Sequence, residues 1–418
     1  MIFWGIVGYL FLFIFRPYEF WPIIGTFRVE RIYMLTLMAL VFFDAGKRYI
    51  PHLVNRMVVA FFAVLFVSGL FAYSMGTAFT GIFEYFKLLI FYFIIIYSIR
   101  DEKQLEKFIL AYLTIMLLYV GKSCWEYFLH DRYSWQQGMA RLVGIDSTYG
   151  NSNAFAASMV YSLPYLWAMF KLRSHSRIIQ LILLAYALLI PVAIMYTGSR
   201  SGMVAALFFG VLLVLGSSKK FTTVVVLSLS LAVVWNVMPE KQQNRFLSIF
   251  IKDIAPEAAS ADASAQGRID GFLQGVKTFK KYPVLGIGPY NFRYSWEGIP
   301  YEFAHNPHNL YGQILGELGA VGVIVFGSMV FSIYRCHRSV VRRIREYIAA
   351  REASSPPPRN MVLLKLVSVA SMQAILLLLF NGNFGHNLYR YNWLWIGAIG
   401  VLASHFIAKE LCADENTA

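Results

Sequence analysis

The stretch that decides the fold is Ala304-His305-Asn306-Pro307-His308-Asn309-Leu310-Tyr311-Gly312-Gln313-Ile314-Leu315-Gly316-Glu317-Leu318-Gly319. It opens as a polar turn and passes into an apolar run that continues to Ile333, long enough for a helix to cross a bilayer. Asn306 is placed to cap that helix, and Pro307 suits its first position, where a missing N–H costs nothing. His308 then falls in the first turn, beside the positive end of the helix dipole, where an imidazole can meet an anionic substrate.

The rest of the chain carries the same signature. It is 58% hydrophobic and only 14% charged, with a mean hydropathy of +0.55, which excludes an ordinary soluble domain. Successive apolar runs of about 16 to 25 residues fit helices crossing a core of about 30 Å, and they do not alternate as barrel strands do. The expected fold is therefore an all-α integral membrane protein. About twelve spans are read, at 2–15, 32–43, 53–73, 82–99, 108–129, 154–170, 178–196, 201–215, 221–237, 307–333, 361–380 and 393–407. The layout is nine spans in 1–237, a long loop in 238–306, three spans in 307–408 and a tail at 409–418.

The net charge of +14 raises nucleic acid as a partner, but the cations cluster in short connections between apolar runs, which is the pattern of membrane orientation. One set of connections carries Lys47, Arg48, Arg56, Arg100, Lys103, Lys107, Lys171, Arg173, Arg177, Lys219, Lys220 and the run from Arg335 to Arg351. The opposite set is sparse. This asymmetry predicts both termini in the cytoplasm, the 238–306 loop on the outer side, and no nucleic-acid partner. The first apolar run passes into Arg16-Pro17-Tyr18-Glu19 with no small-residue cleavage site, so it reads as a retained helix. Cys124, Cys336 and Cys412 have no metal or redox spacing, and neither a metal nor a cofactor is expected.

Within the long loop, residues 254–267 are small and polar and are expected to be mobile. Ile269, Phe272, Leu273, Val276 and Phe279 then recur at helical spacing until Pro283, predicting an amphipathic helix with Arg268 in its first turn. The Arg-rich segment that ends at Ser354-Ser355-Pro356-Pro357-Pro358 reads as a solvated loop facing lipid headgroups. Glu84 and Lys87, one turn apart, read as an ion pair.

Three predicted helix starts on the outer side are unusually polar: Tyr149-Gly150-Asn151-Ser152-Asn153, Thr197-Gly198-Ser199-Arg200-Ser201-Gly202 and His305-Asn306-Pro307-His308. Free helix N–H groups together with a guanidinium fork suit a diphosphate. Each candidate has a plainer alternative: Arg200 could snorkel to headgroups, Arg268 could be an exposed helix charge, and His308 could be an interfacial histidine. His305 and His308 do not read as a metal pair, because Pro307 separates them and no carboxylate is near in sequence. The turn at Gly198–Gly202 has arginine where a nucleophile elbow has serine. Gly286-Ile287-Gly288-Pro289 lacks the third glycine of a dinucleotide loop. His386 and Arg390, in Gly385-His386-Asn387-Leu388-Tyr389-Arg390, either line an acceptor site or anchor at the interface with Trp393 and Trp395.

Taken in order, these motifs resemble the O-antigen ligase and polymerase superfamily of bacterial inner membranes. The pieces are the Gly-x-x-Asn entry at 150–153, the Gly-Ser-Arg-Ser-Gly turn, Arg268 opening a loop helix, Tyr282-Pro283-Val284-Leu285-Gly286-Ile287-Gly288-Pro289-Tyr290-Asn291-Phe292, and His308-Asn309-Leu310-Tyr311 with Glu317-Leu318-Gly319. The resemblance implies a glycosyltransferase that moves a glycan from undecaprenyl diphosphate to a lipid or glycan acceptor hydroxyl at the periplasmic face, without metal or cofactor and with inversion. It implies that Arg200 and Arg268 bind the diphosphate and that His308, or less well His305, activates the acceptor. Asn153, Ser199, Asn309, His386 and Arg390 join His305 as expected substrate contacts. The competing reading is a twelve-helix secondary transporter of a small solute, whose site would lie at mid-membrane between repeated halves. No internal repeat is seen, and the polar groups gather at helix ends.

Overall fold

The structure, a computed structural model, describes residues 2–46, 49–136, 138–145, 150–172, 175–248, 251, 257–350 and 357–415, without side-chain detail at 22, 257–264 and 413–415. The expectations for Lys47, Arg48, Tyr149, Arg173, residues 254–256 and residues 351–356 lie outside the described residues. Helices α1 (Ile2–Phe15), α2 (Pro22–Thr26), α3 (Val29–Phe42), α4 (Leu53–Leu70), α5 (Met75–Ser98), α6 (Glu102–Leu129), α7 (Ser152–Lys171), α8 (Arg177–Thr197) and α9 (Arg200–Gly216) come first. Then follow α10 (Lys220–Val237), α11 (Glu240–Leu247), α12 (Glu257–Lys281), α13 (Leu310–Ala350), α14 (Arg359–Asn381) and α15 (Tyr391–Glu415). A short antiparallel hairpin, β1 (Ser134–Gln136) and β2 (Met139–Arg141), pairs Trp135 with Ala140.

The all-α membrane character holds, and helices of full crossing length account for part of the twelve expected spans. Among the described residues, eight helices are long and apolar enough to cross a bilayer: α4, α5, α6, α8, α10, α13, α14 and α15. Helices α1 and α9 are apolar but shorter, and α3 has only 14 residues. Helix α7 has the length, but its serines, tyrosines and Pro164 dilute its hydropathy.

The chain divides into two compact units: Met1–Leu40 with Glu106–Ser264, and Val41–Leu105 with Ala265–Ala418. In the first, α7 packs on α8 and α9, and α9 packs on α10. Helix α9 meets α7 closely because Gly202 has no side chain to collide with Ala156. In the second, α13 is the central element and packs on α4, α14 and α15, while α15 also packs on α5. Phe326 joins this interior, its ring 5.4 Å from that of Phe61 and 5.3 Å from that of Trp393.

Helix α13 is broken. Gly319 adopts φ 61°, ψ −158°, a conformation closed to other residues, and the helix restarts beyond it. The backbone groups freed by the break are taken up by the loop that follows α12. Ala320 N donates to Pro283 O at 2.8 Å and Val321 N to Val284 O at 3.2 Å. In the other direction, Ile287 N donates to Gly316 O at 3.0 Å and Gly288 N to Glu317 O at 2.9 Å. Ser68 Oγ of α4 adds a bond to Leu285 O at 2.8 Å. A backbone break inside an apolar bundle is tolerable only when such partners replace the lost helical bonds.

Several expectations need correction. Helix α13 begins at Leu310, not Pro307, because Asn309 is its cap: Asn309 Oδ1 accepts from Tyr311 N and Gly312 N, both at 2.9 Å. Leu310 N is used elsewhere, donating to Gly382 O at 2.7 Å. Asn306 and Pro307 therefore precede the helix, and His308 sits just outside it at φ 43°, in the left-handed region. At its other end α13 runs to Ala350, so Arg335 to Arg345 are helical rather than a loop. Helix α12 starts at Glu257, so residues 257–267 are helical rather than a mobile stretch, and Arg268 lies in mid-helix rather than in a first turn. The expected ion pair holds, with Lys87 Nζ 2.6 Å from Glu84 Oε2.

The docked loop generates a stability prediction. Gly286 has φ 66°, and a Cβ there would strike the Glu317 carbonyl group. Gly286→Val should cost about 1–2 kcal/mol for the left-handed backbone alone, and more for the collision, read as a lowered melting temperature of the purified protein in detergent. Gly267→Ala, in open space on α12, should leave melting unchanged or slightly raise it. Equal melting of the two variants would mean that the loop can back away from the break.

Candidate functional site

In the second unit, residues 71–74, the loop 282–309 and the turn 382–390 gather at one end of the bundle. Tyr73 N donates to Ile287 O at 2.9 Å, Ser74 N to Asn291 Oδ1 at 2.8 Å, and Leu310 N to Gly382 O. Between them lies a cavity of about 310 Å³ lined by Tyr290, Arg293, Asn306, Glu317, His386 and Arg390, among others. That volume is within the range of about 300–1,000 Å³ typical of small-molecule sites.

Helix α12 reaches this end by a crossing made of glycines. Gly271, Gly275 and Thr278 form its buried face, and side chains at Gly271 or Gly275 would collide with the backbone of Pro307 and Gly312. Gly312 is likewise too close to Gly271 to carry one. The contact brings Arg268, one turn before Gly271, into the electrostatic reach of His308. The imidazole of His308 titrates below its usual range because neighbouring atoms desolvate it, because Arg268 repels its proton, and because His305 does so too. Its side chain nevertheless keeps an exposed edge. Arg268 lies over the ring of Phe384, 5.4 Å from its centroid.

His386 stands beside His308, their ring centroids 5.3 Å apart. Burial, then the charges of His308 and Arg390, push its pKa down to about 3, so it is neutral at any physiological pH. Its Nδ1 is buried without a hydrogen-bond partner. Glu317, which lines the cavity and is buried about two turns into α13, accepts from Phe292 N at 3.2 Å, Gln313 Nε2 at 3.4 Å and Tyr389 Oη at 2.5 Å. Tyr389 stacks on Tyr290 with centroids 4.2 Å apart, and burial raises both phenols well above their ordinary pKa.

The second unit thus holds His308, His305, Arg268, Asn309, His386 and Arg390. His305 is exposed, and its carbonyl accepts from Trp296 Nε1 at 3.0 Å. Asn309 is committed to capping. Arg390 and His386 line the cavity. Among the described residues no three His, Cys, Asp or Glu side chains are grouped to hold a metal ion.

The first unit holds Arg200, Ser199 and Asn153. Gly198, at φ 55°, ends α8, and Ser199 caps α9 by accepting from Gly202 N at 3.1 Å. Ser199 is fully buried, so its hydroxyl serves the turn. Arg200 opens α9 and donates from Nη1 to Ser248 Oγ at 3.3 Å. Two further arginines close on the same turn. Arg141 is 2% exposed and Arg245 3%. Arg141 Nε donates to Thr197 O at 2.7 Å, and Arg245 Nε donates to Gly198 O at 2.5 Å. Arg141 also donates to Asn153 Oδ1 at 3.0 Å and Gln136 Oε1 at 3.3 Å, so every one of these acceptors is neutral. Burial, with Arg245 and Arg200 nearby, pulls its pKa down to about 9.

Sequence reasoning missed Arg141, Arg245, Glu317 and Tyr389 as parts of these clusters. A basic residue in a short connection between apolar runs is legible for Arg141, and a Glu in an apolar helix signals function for Glu317; the partners of Arg245 and Tyr389 are too remote in sequence to find.

None of the curated proteins compared with the chain matches it. Residues 184–327 match the family described as O-antigen ligase. That segment runs from α8 through the Arg200 turn and α12 to the broken part of α13, and over it the resemblance to the O-antigen ligase and polymerase superfamily holds.

Proposed function

We propose that the chain is a membrane glycosyltransferase that moves a glycan from undecaprenyl diphosphate to an acceptor hydroxyl at the periplasmic face of the bacterial inner membrane, as an O-antigen ligase or a polysaccharide polymerase does. The family match over residues 184–327 supports the coarse reading of a membrane glycosyltransferase. The observation that carries the finer one is the grouping of His308, His386 and Arg268 just ahead of α13, with His386 lining a polar cavity beside it.

The chemistry follows from the charges. A neutral His308 takes the proton of the acceptor hydroxyl as its oxygen attacks the anomeric carbon, and the bond from that carbon to the diphosphate oxygen breaks from the opposite side, giving inversion. The electron pair leaves with the diphosphate, where fixed guanidinium groups stabilise the developing charge more than they stabilise the bound donor. Arg268 has two effects, since the charge that would hold the leaving group also keeps the imidazole unprotonated. Arg200 would meet the diphosphate with the positive field of Arg141 and Arg245 behind it.

The transporter reading gains one point from the break in α13, because transporters expose such backbone groups to their solutes. Here the freed amides and carbonyls are bonded to residues 283–288, which leaves the break without those ligands.

His308→Ala should abolish transfer from a lipid-diphosphate glycan to an acceptor by the purified protein while abundance and melting stay normal. Retained transfer would move the base to His305 or end the mechanism. Arg200→Ala and Arg268→Ala should each lower donor use more than the Lys replacements do, because Lys keeps the charge and loses the fork; full activity in all four would remove the diphosphate assignment.

A pH prediction follows from the lowered His308 pKa. The active form is the neutral one, so rate should hold down to below the ordinary histidine range and fall as pH drops through the depressed value. Arg268→Gln removes a charge that lowers this pKa, so its residual activity should show the acid limb displaced to higher pH. An unmoved limb would mean that the titrating group is not His308.

A further inference from the structure

Beside the histidine cavity, and sharing Arg293 with it, the second unit holds a larger cleft of about 930 Å³ that the transfer chemistry does not use. Its walls are the last turns of α12 and residues 293–301, with Tyr73 at one side. We infer that this cleft is a binding site for an anionic saccharide.

The argument starts from the rings. Tyr73, Tyr294 and Tyr301 form a continuous row, with centroids 5.1 Å apart for the first pair and 4.6 Å for the second, and interplanar angles of 30° and 33°. Tyr73 is 70% exposed, although leaving such a ring in water forgoes the burial that aromatic side chains usually gain. The row is fixed in place: Tyr294 Oη is bonded to Thr77 Oγ1 at 3.3 Å, and the Arg293 guanidinium lies 4.9 Å from the Tyr301 centroid. Flat, exposed, immobilised rings suit the C–H faces of pyranose rings, whose weakly positive hydrogens meet the negative face of the π system.

Charge then narrows the ligand. Lys277, Lys280, Lys281 and Arg293 line the cleft against a single carboxylate, Glu297. Glu297 holds Lys281 at 3.1 Å and Lys277 at 3.7 Å, which arranges the cations along one wall without cancelling them. Such a cleft concentrates anions in its mouth. Ser295, which also lines the cleft, has a buried hydroxyl with no hydrogen-bond partner. Aromatic faces beside cations and unsatisfied polar groups match a sugar bearing a carboxylate, whereas a lipid phosphate would use the cations and leave the rings idle.

Position connects the cleft to the proposed reaction. Arg293 Nε donates to Ala304 O at 2.8 Å and Trp296 Nε1 donates to His305 O, so the cleft wall is tied to the segment that carries His308. The inference rests on the transferase reading only for what the saccharide is used for; its binding is a separate property of the cleft.

The test is direct binding of lipid-free probes to the full-length protein in detergent, by calorimetry. A galacturonic acid hexasaccharide should bind, and maltohexaose, the neutral probe, should bind at least tenfold more weakly. Tyr301→Ala and Lys277→Gln should each weaken the acidic probe at least fivefold, and added salt should weaken it further. His308→Ala should bind it as well as the unaltered protein does. Absence of binding, binding unchanged in both cleft variants, or tighter binding of glycerol phosphate than of the hexasaccharide would overturn the site; the last would make it a headgroup pocket. Binding of the acidic probe by a protein that transfers nothing would sink the transferase reading and leave the cleft standing.

Discussion

The second unit depends on the backbone exchange between the break in α13 and the loop at 283–288. A membrane helix that stops at Gly319 exposes amides and carbonyls in a place where water cannot reach them, and each such group left alone would cost several kcal/mol. The loop supplies the missing partners in both directions, two donors and two acceptors. In return the break fixes the loop. Residues 289–309, which carry Tyr290, Arg293 and the run to His308, leave from a point held by hydrogen bonds rather than from a free connection. The glycines of Gly286-Ile287-Gly288, which mimic a nucleotide motif, have a steric purpose: Gly286 meets the Glu317 carbonyl and Gly288 meets Ala72, both at positive φ.

A second constraint is the glycine crossing of α12 over the start of α13. Helices that meet through Gly271, Gly275 and Gly312 approach until their backbones touch, which is the way apolar bundles gain contact where lipid gives no hydrophobic drive. The same choice turns Ile269 and Leu273 outward, 52% and 56% exposed. The apolar stripe that predicted this helix is therefore not the face that packs on the protein. Periodicity identifies the helix but not the face that packs, because small residues contribute little to a hydrophobic pattern yet decide how closely helices pack.

Much of the architecture was legible for simple reasons. Bilayer crossing demands length and apolarity, and every stretch read as a span is at least in part helical, although only eight helices meet the full measure. The cap of α13 was read one turn too early, at Asn306. Asn306-Pro307 and Asn309 both satisfy the local rules; Asn309 wins because Leu310 N is taken by Gly382 O, a partner 72 residues on that no local rule can see. The Gly-Ser-Arg-Ser-Gly turn was read correctly as a polar helix start. Its two buried arginines were not found, since a guanidinium that binds backbone carbonyls leaves no acidic partner in the sequence to betray it.

Those arginines raise a question of energetics that the turn itself answers. Arg141 and Arg245 are buried close to each other and to Arg200, and like charges in a poorly solvated place repel. Both are held by the last carbonyls around the end of α8, Thr197 O and Gly198 O. The free carbonyls at a helix C-terminus carry the negative end of its dipole, so the cations sit where the backbone favours them. The next residues begin α9, whose N-terminal amides carry the positive end. The turn is thus polarised across its own five residues: carbonyls anchor the guanidinium groups from behind, while Arg200 and the amides of α9 present positive charge in front. The diphosphate of the proposed reaction would meet a field that the backbone on both sides of the turn has already oriented. This gives a physical reason for Arg200 to stand on a rigid turn rather than on a flexible loop.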